Sequence, residues 1–296
     1  MFKWELQGAT VATRRTATDG RPVRIRQATA MVIGALLLAP LTTSSSVPDW
    51  QKAVTPLPRG DFPNPRSLVA TYEFGWSSLT AATGEVRFAN SGNRLQIAAT
   101  GQTIGIVRGL WRFDTHHLAI ADASTLQPIS MHQVDEFRSK TLTTDLTFHP
   151  GRVDRFRTDT SSSKPPSKKA FTFASGIYDL HSALLMVRSQ PMKAGDVYRL
   201  IVYPATNSYL ATLTVSGRST LTTPAGTYPA IKLDLHLKKV GKHNELEPHK
   251  KFRRATVWVS DDSDRLLLRV EASVFVGTIF AELQSVRFPT QKEQAN

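Results

Sequence analysis

Residues 85–98 read Glu-Val-Arg-Phe-Ala-Asn-Ser-Gly-Asn-Arg-Leu-Gln-Ile-Ala, and the pattern in this stretch decides the fold. Polar and apolar side chains alternate over 85–88 and again over 94–98, as they do on the two faces of a half-buried β-strand. Ser91, Gly92 and Asn93 lie between the two runs and are typical turn residues. The stretch therefore predicts a β-hairpin with one apolar face.

The same alternation recurs along most of the chain, with turn residues between the runs. The further predicted strands are 68–74, 118–122, 129–137, 141–148, 153–158, 196–203, 209–216, 228–237, 252–260, 265–273 and 275–284. Many short strands predict a mainly β fold, an antiparallel curled sheet or incomplete β-barrel, with one or two short helices packed on it.

Two segments break the alternation and are predicted as those helices. The first is 103–111, although its Gly and β-branched residues lower its helix propensity. The second is Tyr178 to Arg188, which Pro191 ends. Its apolar residues recur at helical spacing and form one face, namely Leu180, Ala183, Leu184 and Val187.

The first 46 residues predict a signal peptide or N-terminal targeting segment. Residues 30–41 form an apolar run of about 12 residues, whereas a helix that crosses a bilayer needs about 20. Three arginines precede this run, and the small residues 42–46 follow it, which is the order of a secretory signal. No Ala-x-Ala cleavage site is present, so an uncleaved anchor is the alternative. We expect export to the periplasm or cell envelope.

Cysteine is absent from the 296 residues. A disulfide scaffold, a cysteine nucleophile, a zinc finger and a lipoprotein anchor on an acylated Cys are thereby excluded. Neither a phosphate-binding glycine loop nor a Gly-x-Ser-x-Gly nucleophile motif occurs. The sequence therefore predicts no cofactor, and it leaves open whether the protein is an enzyme, although the patterns favour a non-enzymatic role.

The rest of the chain divides into three parts by composition. Residues 47–66 contain five prolines and predict a linker or a strap over the domain surface. Residues 67–288 form the β domain, in which 161–169 predicts a polar, basic, mobile loop, and residues 289–296 form a polar tail. After residue 46 the chain has 31 basic and 22 acidic residues, a net charge of +9. Such a surface is either merely solvated or suited to an anionic membrane or polymer.

Several passages resemble, in order, those of one family. They are 72–76 with 83–85, the helix 178–188 with its following Pro and Gly-Asp, the turn 223–228, and 258–277, whereas the long basic insertion at 243–251 departs from that family's pattern. Together they resemble the DUF3108 family of exported bacterial proteins of unknown function. The resemblance implies a signal peptide and a β-rich domain, and it implies no catalytic residues. The matching motif residues are Asp179, Ser182, Arg188, Pro191, Gly195, Pro224, Gly226, Trp258, Asp262, Arg265 and Glu271.

Three clusters of polar residues are candidates for catalytic or metal-binding sites. Asp179, His181 and Ser182 lie too close together on one helix to form a catalytic triad, so we interpret Asp179 and Ser182 as capping or packing groups. The adjacent His116 and His117 point to opposite faces of a strand, and no metal site is expected. Asp262, Arg265 and Arg269 suggest an ion-pair network, with Asp261-Asp262 as turn residues.

Aromatic residues of the predicted strands suggest a binding cavity inside the curled sheet. The expected lining residues are Trp76, Trp111, Tyr198, Tyr203, Trp258 and Phe280. The first function hypothesis is an exported envelope protein that binds a lipid or other amphiphile. The alternative is a structural or interaction module that contacts another envelope protein, and a hydrolase ranks third. A nucleic-acid partner is not expected, because the basic tracts contain few aromatic residues.

Overall fold

The computed structural model describes residues 47–54, 56–248, 254–274 and 277–289. The predicted targeting segment and almost all of the predicted polar tail lie outside these residues. The chain from Val47 onward forms one compact unit. None of the helices in the described residues combines the length and the apolar character needed to span a membrane.

Three short helices and sixteen strands make up the described part of the chain. The helices are α1 (Asp49–Lys52), α2 (Gly105–Leu110) and α3 (Leu180–Arg188). The strands of the first half are β1 (Leu68–Trp76), β2 (Leu79–Ser91), β3 (Arg94–Thr103), β4 (Phe113–Asp122), β5 (Pro128–Phe137), β6 (Thr141–His149), β7 (Arg152–Asp159) and β8 (Ser167–Thr172). Those of the second half are β9 (Ile177–Tyr178), β10 (Val197–Val202), β11 (Tyr209–Thr223), β12 (Gly226–Val240), β13 (Leu246–Pro248), β14 (Arg254–Ser260), β15 (Leu267–Val274) and β16 (Gly277–Arg287).

All sixteen strands belong to one sheet. Its order is β8-β7-β6-β5-β4-β3-β2-β1-β16-β15-β14-β12-β11-β10-β9, and the short β13 attaches to β12. The pairs are antiparallel except for β9 with β10. Strands β1 to β8 therefore form one arm of the sheet, and strands β9 to β16 form the other. The pairing of β1 with β16 joins the two arms at the centre.

The sheet curls until its two edges lie side by side, and side chains bridge the seam between them. Arg155 on β7 donates a hydrogen bond from Nη1 to the hydroxyl of Tyr203 at 3.2 Å, just after β10. Arg157 donates from Nη2 to the carbonyl of Ala205 at 2.7 Å. Within the described residues no backbone ladder joins β8 to β9, so the barrel is incomplete. The predicted fold class is confirmed.

Helix α3 lies inside the curl, where it contacts β4, β9 and β10. The sequence predicts a single apolar stripe, but Leu185 and Met186 are also buried, because the sheet surrounds the helix. The core of the strands comes from residues of the inner face, such as Leu95, Leu233 and Leu283. Alternating apolar residues therefore face the helix, as the hairpin pattern at 85–98 predicts.

Two local predictions need correction, and one segment without a predicted structure forms a strand. The second helix begins at Leu180 rather than Tyr178, because Tyr178 pairs with β10 and Asp179 caps the helix. Residues 167–169 of the predicted mobile loop belong to β8, which pairs with β7. The basic insertion contains β13, which extends the hairpin after β12. In each case the pairing with a neighbouring strand decides the structure.

The proline-containing segment 47–66 forms a strap along the domain. Trp50 donates from Nε1 to the carbonyl of Asn244 at 2.6 Å, and the buried Gln51 accepts from the backbone of Ala174 at 3.0 Å. Further along, the backbone N–H of Phe62 donates to the carbonyl of Ser189 at 3.1 Å. These contacts hold the strap across the seam and at the end of α3.

Candidate functional site

The amino end of α3 is capped by a fully buried carboxylate. Asp179 Oδ1 accepts hydrogen bonds from the backbone N–H groups of His181, at 2.7 Å, and Ser182, at 3.1 Å. The Ser182 hydroxyl donates to Asp179 Oδ2 at 2.6 Å. The predicted capping role is confirmed, since these bonds satisfy the first free donors of the helix.

The carboxyl end of α3 is held by two buried arginines. Arg265 donates from Nη1 to the carbonyls of Arg188 and Gln190. Arg188 in turn donates to the carbonyl of Pro63 at 3.0 Å and to that of Asp264 at 2.9 Å. Free carbonyls at a helix end attract cations, so Arg265 caps the helix, whereas Arg188 ties the helix end to the strap and to the turn before β15.

The strap closes over this end of the helix. The guanidinium carbon of Arg265 lies 3.5 Å from the centre of the Phe62 ring, a cation–π contact, and Arg188 lies 5.8 Å from the same ring. Burial lowers the pKa of both guanidinium groups from the ordinary arginine value, and the charge of Arg265 lowers the pKa of Arg188 further. The motif residues Arg188, Pro191 and Arg265 thus meet in one structural latch.

The predicted ion-pair network at this hairpin is wrong. Asp262 Oδ1 accepts from the backbone N–H groups of Asp264 and Arg265 and from the Ser260 hydroxyl, so it shapes the turn. Arg269 pairs instead with Glu271 at 2.6 Å and Glu282 at 3.2 Å on the outer face. The alternation of the strand separates Arg269 from the inward-directed latch.

The remaining motif residues shape two turns. Gly195 and Gly226 have φ angles of +91° and +136°, a backbone region that favours glycine. Pro224 occupies the two-residue turn that joins β11 to β12, where Thr223 pairs with Gly226. These residues fix the backbone and contribute no chemistry to a site.

His117 of β4 and His181 of α3 form a partly buried pair. Nδ1 of His117 lies 3.3 Å from Nε2 of His181, so one ring donates a hydrogen bond to the other. Burial lowers the pKa of His117 to about 2 and also lowers the pKa of His181, chiefly because a charged imidazole is poorly solvated there. The sequence places His117 opposite His116 on the strand, and it gives no sign of a partner 64 residues away.

The arrangement does not form a nucleophile–base pair. The Ser182 hydroxyl is bound to Asp179, whereas the His181 ring faces His117, and no hydrogen bond joins Ser182 Oγ to that ring in the part of the chain described. The same residues hold no group of three or more candidate metal ligands. Catalytic use of this cluster therefore has no geometric support.

A cleft opens at the seam of the sheet. It has a volume of about 560 Å³ and lies between the strap, the turns before β5 and β7, the connection from β8 to β9, and β10. Its apolar wall consists of Val54, Leu57, Phe148, Phe173, Ile177 and Leu200. Pockets of 300–1,000 Å³ with mostly apolar walls are typical of sites for small ligands.

Three features of this seam cleft concern ligand binding directly. Ser175 is 7% exposed, and its hydroxyl has no hydrogen-bond partner among the described residues. Arg199 lies exposed at the wall of the cleft. At Gly176 an added Cβ would lie 3.6 Å or more from its neighbours, so a larger side chain fits there and would enter the cleft.

The aromatic residues predicted to line one cavity are spread over the molecule, and none of them lines the seam cleft. The set comprises Trp76, Trp111, Tyr198, Tyr203, Trp258 and Phe280. Tyr198 and Tyr203 are buried on the inner face, and their hydroxyls bond to Asp196 and Arg155.

The other four aromatic residues lie elsewhere. Trp258 and Phe280 are on the outer face, where they pair with Lys232 and Glu271 on neighbouring strands. Trp76 is 44% exposed at the end of β1, and Trp111 stacks on Phe113 beside α2. The alternation of each strand separates these side chains, so the prediction of a shared aromatic cavity needs correction.

The residues of the seam cleft carry no sequence signal of binding. The stretch 173–176 reads as an ordinary connection between strands, and Ser175 and Gly176 are typical of such connections. The cleft exists because the first arm of the sheet meets the second one. Only the number and curl of the strands, which local patterns do not fix, bring its walls together.

Comparison with known proteins agrees with this architecture. A β-barrel-like protein from Brucella abortus, a domain of unknown function named DUF1849, has a TM-score of 0.52 and 8% sequence identity to this chain. The likeness covers 77% of this chain and 100% of that one. A protein with a YmcC-like fold from Bacteroides fragilis has a TM-score of 0.32 and 7% identity, covering 77% of this chain and 99% of that one.

The sequence comparisons point to a family rather than to an activity. No curated protein matches the chain. The family model described as a protein of unknown function, DUF3108, matches residues 71–284, which run from β1 to β16 and include both ends of α3. The chain therefore belongs to the DUF3108 family.

Proposed function

We propose that this protein is an exported cell-envelope protein that binds an amphiphilic molecule in the seam cleft without chemically changing it. The observation that carries the proposal is the mainly apolar cleft together with the buried hydroxyl of Ser175, which has no partner among the described residues. A buried hydroxyl without a partner costs about 1–3 kcal/mol, and a bound polar head group would remove that cost.

The two kinds of wall suit the two ends of an amphiphile. The apolar wall, formed in part by Phe148, Phe173 and Ile177, accepts a hydrocarbon chain. An eight-carbon chain buried there contributes about 6 kcal/mol before the costs of association. Arg199 and Ser175 offer a cation and a hydroxyl to the head group, which favours an anionic head.

Export is supported by the order of residues in the first 46 positions, where arginines precede an apolar run and small residues follow it. The strongly basic chain after this segment suits an anionic envelope component. Attachment of an alkaline phosphatase reporter after residue 66 tests the proposal, since the reporter is active only outside the cytoplasm.

The direct test is to express the full chain, to purify it from a bacterial envelope extract and to analyse it by native and denaturing mass spectrometry. We expect a bound amphiphile that organic solvent releases. A protein that is free of ligand and also fails to bind a fluorescent fatty acid would contradict the proposal.

Two substitutions locate the ligand. Ser175→Ala should weaken binding several-fold without lowering the melting temperature, because the hydroxyl has no partner to lose. Gly176→Trp should fill the cleft and abolish binding. Thr147→Trp is the matched control, since Thr147 is exposed on the outer face of β6. If Gly176→Trp binds the probe as well as the control does, the seam cleft is not the site.

A second candidate function is an interaction module that binds another envelope protein. The mostly exposed edge strand β8 favours it, since it has a neighbour on only one side. Ligand-free protein together with a captured partner that protects the amides of residues 167–172 from hydrogen exchange would support this alternative.

A further inference from the structure

Helix α2 presents two large apolar side chains to solvent. Ile106 is 79% exposed and Leu110 is 81% exposed, the two highest values among the large exposed hydrophobic residues of the described chain. They are four residues apart, so they lie on one face of the helix. No residue of α2 is buried, and its N-terminal residue makes no side-chain cap. The core therefore gives no reason for the apolar character of this helix.

The turn between β1 and β2 continues the same surface. Trp76 is 44% exposed and Leu79 is 48% exposed. The backbone N–H of Ile104, which precedes α2, donates to the carbonyl of Ala81 at 3.0 Å, so the turn and the helix are neighbours. We call α2 together with the β1–β2 turn the apolar rim. Exposed apolar side chains that cluster in this way mark an interaction surface more often than scattered ones do.

Cations lie beside the apolar rim. Arg138 in the turn between β5 and β6 donates from Nη2 to the carbonyl of Gly109 at 2.6 Å, and Lys140 lies in the same turn. The backbone N–H of Thr160 donates to the carbonyl of Thr141 at 3.1 Å, which ties the loop that carries Lys164 to this turn. The hydrogen bonds thus link the apolar helix to two basic segments in succession.

The acidic groups near the rim do not cancel this charge. Asp114 is already bound by Arg108 at 2.6 Å and by Arg112 at 3.3 Å. Glu73 accepts a hydrogen bond from Thr80, and Asp135 is buried. Glu136 and Asp159 are half-buried, whereas Arg138 and Lys164 are exposed. The surface is apolar at its centre and basic at its border.

We propose that the apolar rim docks onto an anionic phospholipid surface. Ile106, Leu110 and Leu79 would enter the boundary between head groups and acyl chains, and Arg138, Lys140 and Lys164 would contact lipid phosphates. Apolar residues flanked by cations bind anionic membranes in this manner. The basic border argues against a second copy of this chain as the occupant, because like charges would face each other. The proposal does not depend on the ligand of the seam cleft.

The test measures co-sedimentation with vesicles, using the compact unit from Val47 onward. We expect binding to phosphatidylcholine vesicles that contain phosphatidylglycerol, little binding to pure phosphatidylcholine, and weaker binding at high salt. The double variant Ile106→Asp with Leu110→Asp should weaken binding about tenfold or more. Val197→Asp, at a residue that is 42% exposed on β10, is the matched control and should bind as the original protein does.

A second pair of variants tests the charged border. Lys140→Glu with Lys164→Glu should weaken binding to anionic vesicles, whereas Lys193→Glu, remote from the rim in the turn before β10, should not. Melting curves check that each variant is folded. Equal binding to neutral and anionic vesicles, or unchanged binding of the Ile106 and Leu110 variant, overturns the proposal. The proposal is also overturned if the original protein is a dimer that does not bind vesicles and the Ile106 and Leu110 variant is a monomer.

Discussion

The two longer helices of this protein, α3 and α2, differ in almost every respect. Helix α3 lies inside the sheet with six buried residues, a carboxylate cap at its start and arginines at its end. Helix α2 is two-thirds as long, has no side-chain cap at its start and buries none of its residues. Its apolar residues, Ile106 and Leu110, are among the most exposed of the described chain.

This difference separates two uses of apolar residues. In α3 they are needed for folding, and four motif residues, Asp179, Ser182, Arg188 and Arg265, hold that helix in the sheet. In α2 they add nothing to the core, because exposed side chains lose little apolar surface to the interior on folding. The comparison predicts that substitutions around α3 change stability and that substitutions on α2 change only binding.

The largest expected effect is at the latch that ends α3. Arg265→Ala leaves the carbonyls of Arg188 and Gln190 without their donor and removes the stacking on Phe62. We expect the free energy of unfolding in urea to fall by about 3–4 kcal/mol. Arg265→Lys keeps the charge without the planar fork and should lose less. A loss below about 1 kcal/mol for Arg265→Ala would show that the latch is dispensable.

The cap at the other end of α3 should have a smaller effect. Asp179→Ala removes the acceptor for two backbone N–H groups and for the Ser182 hydroxyl. The expected loss is about 2–3 kcal/mol, measured by urea unfolding. Asp179→Asn retains an acceptor oxygen and serves as the control. If alanine and asparagine destabilise equally, the hydrogen bonds of the cap are not the source of the loss.

The histidine pair that joins α3 to β4 should make stability depend on pH. In the folded protein the pKa of His117 is lowered to about 2 by burial, so the unfolded chain binds a proton more readily than the folded one. Full stability is therefore present above about pH 6.5 and declines as the pH falls below that value. We expect a loss of about 1–2 kcal/mol between pH 7 and pH 5.

The control for this prediction is His117→Gln, which cannot take up the proton. Urea unfolding of this variant should show a flatter dependence on pH over the same interval. An unchanged slope would assign the dependence to groups other than this histidine pair.

The smallest effect on stability is expected on α2. Ile106→Asp with Leu110→Asp should change the free energy of unfolding by less than about 0.5 kcal/mol, because both residues are almost fully exposed. Thermal unfolding checks this. A loss comparable to that of Asp179→Ala would remove the distinction between the two helices.

Local patterns in the sequence predict most of the fold. The alternation at 85–98 gives the hairpin of β2 and β3, and the spacing around Asp179 gives the cap of α3. In both cases the interacting residues are near each other in the chain, so the pattern contains the contact. The same holds for the turn residues Pro224 and Gly226.

The candidate site could not be predicted in this way. Ser175 and Arg199 line one cleft because the two edges of the sheet meet, and nothing near either residue records that meeting. The pairing of His117 with His181 likewise depends on where α3 enters the curl. The sequence also suggests Trp258 and Phe280 as cavity residues, whereas the structure places both on the outer face of the sheet.

The joining of the two arms by β1 and β16 also bears on how the chain folds. Strands β1 to β8 pair in sequence order, and so do most of β10 to β16, but the centre of the sheet needs a pair of strands about 200 residues apart. Such distant pairing is slow, because a long loop must close first. The middle of the sheet therefore stays open until the end of the chain has been made. If the chain is exported as we propose, this delay would keep its two halves unjoined while it is threaded through a membrane. Pulsed hydrogen exchange should detect last the protection of the amides that pair β1 with β16.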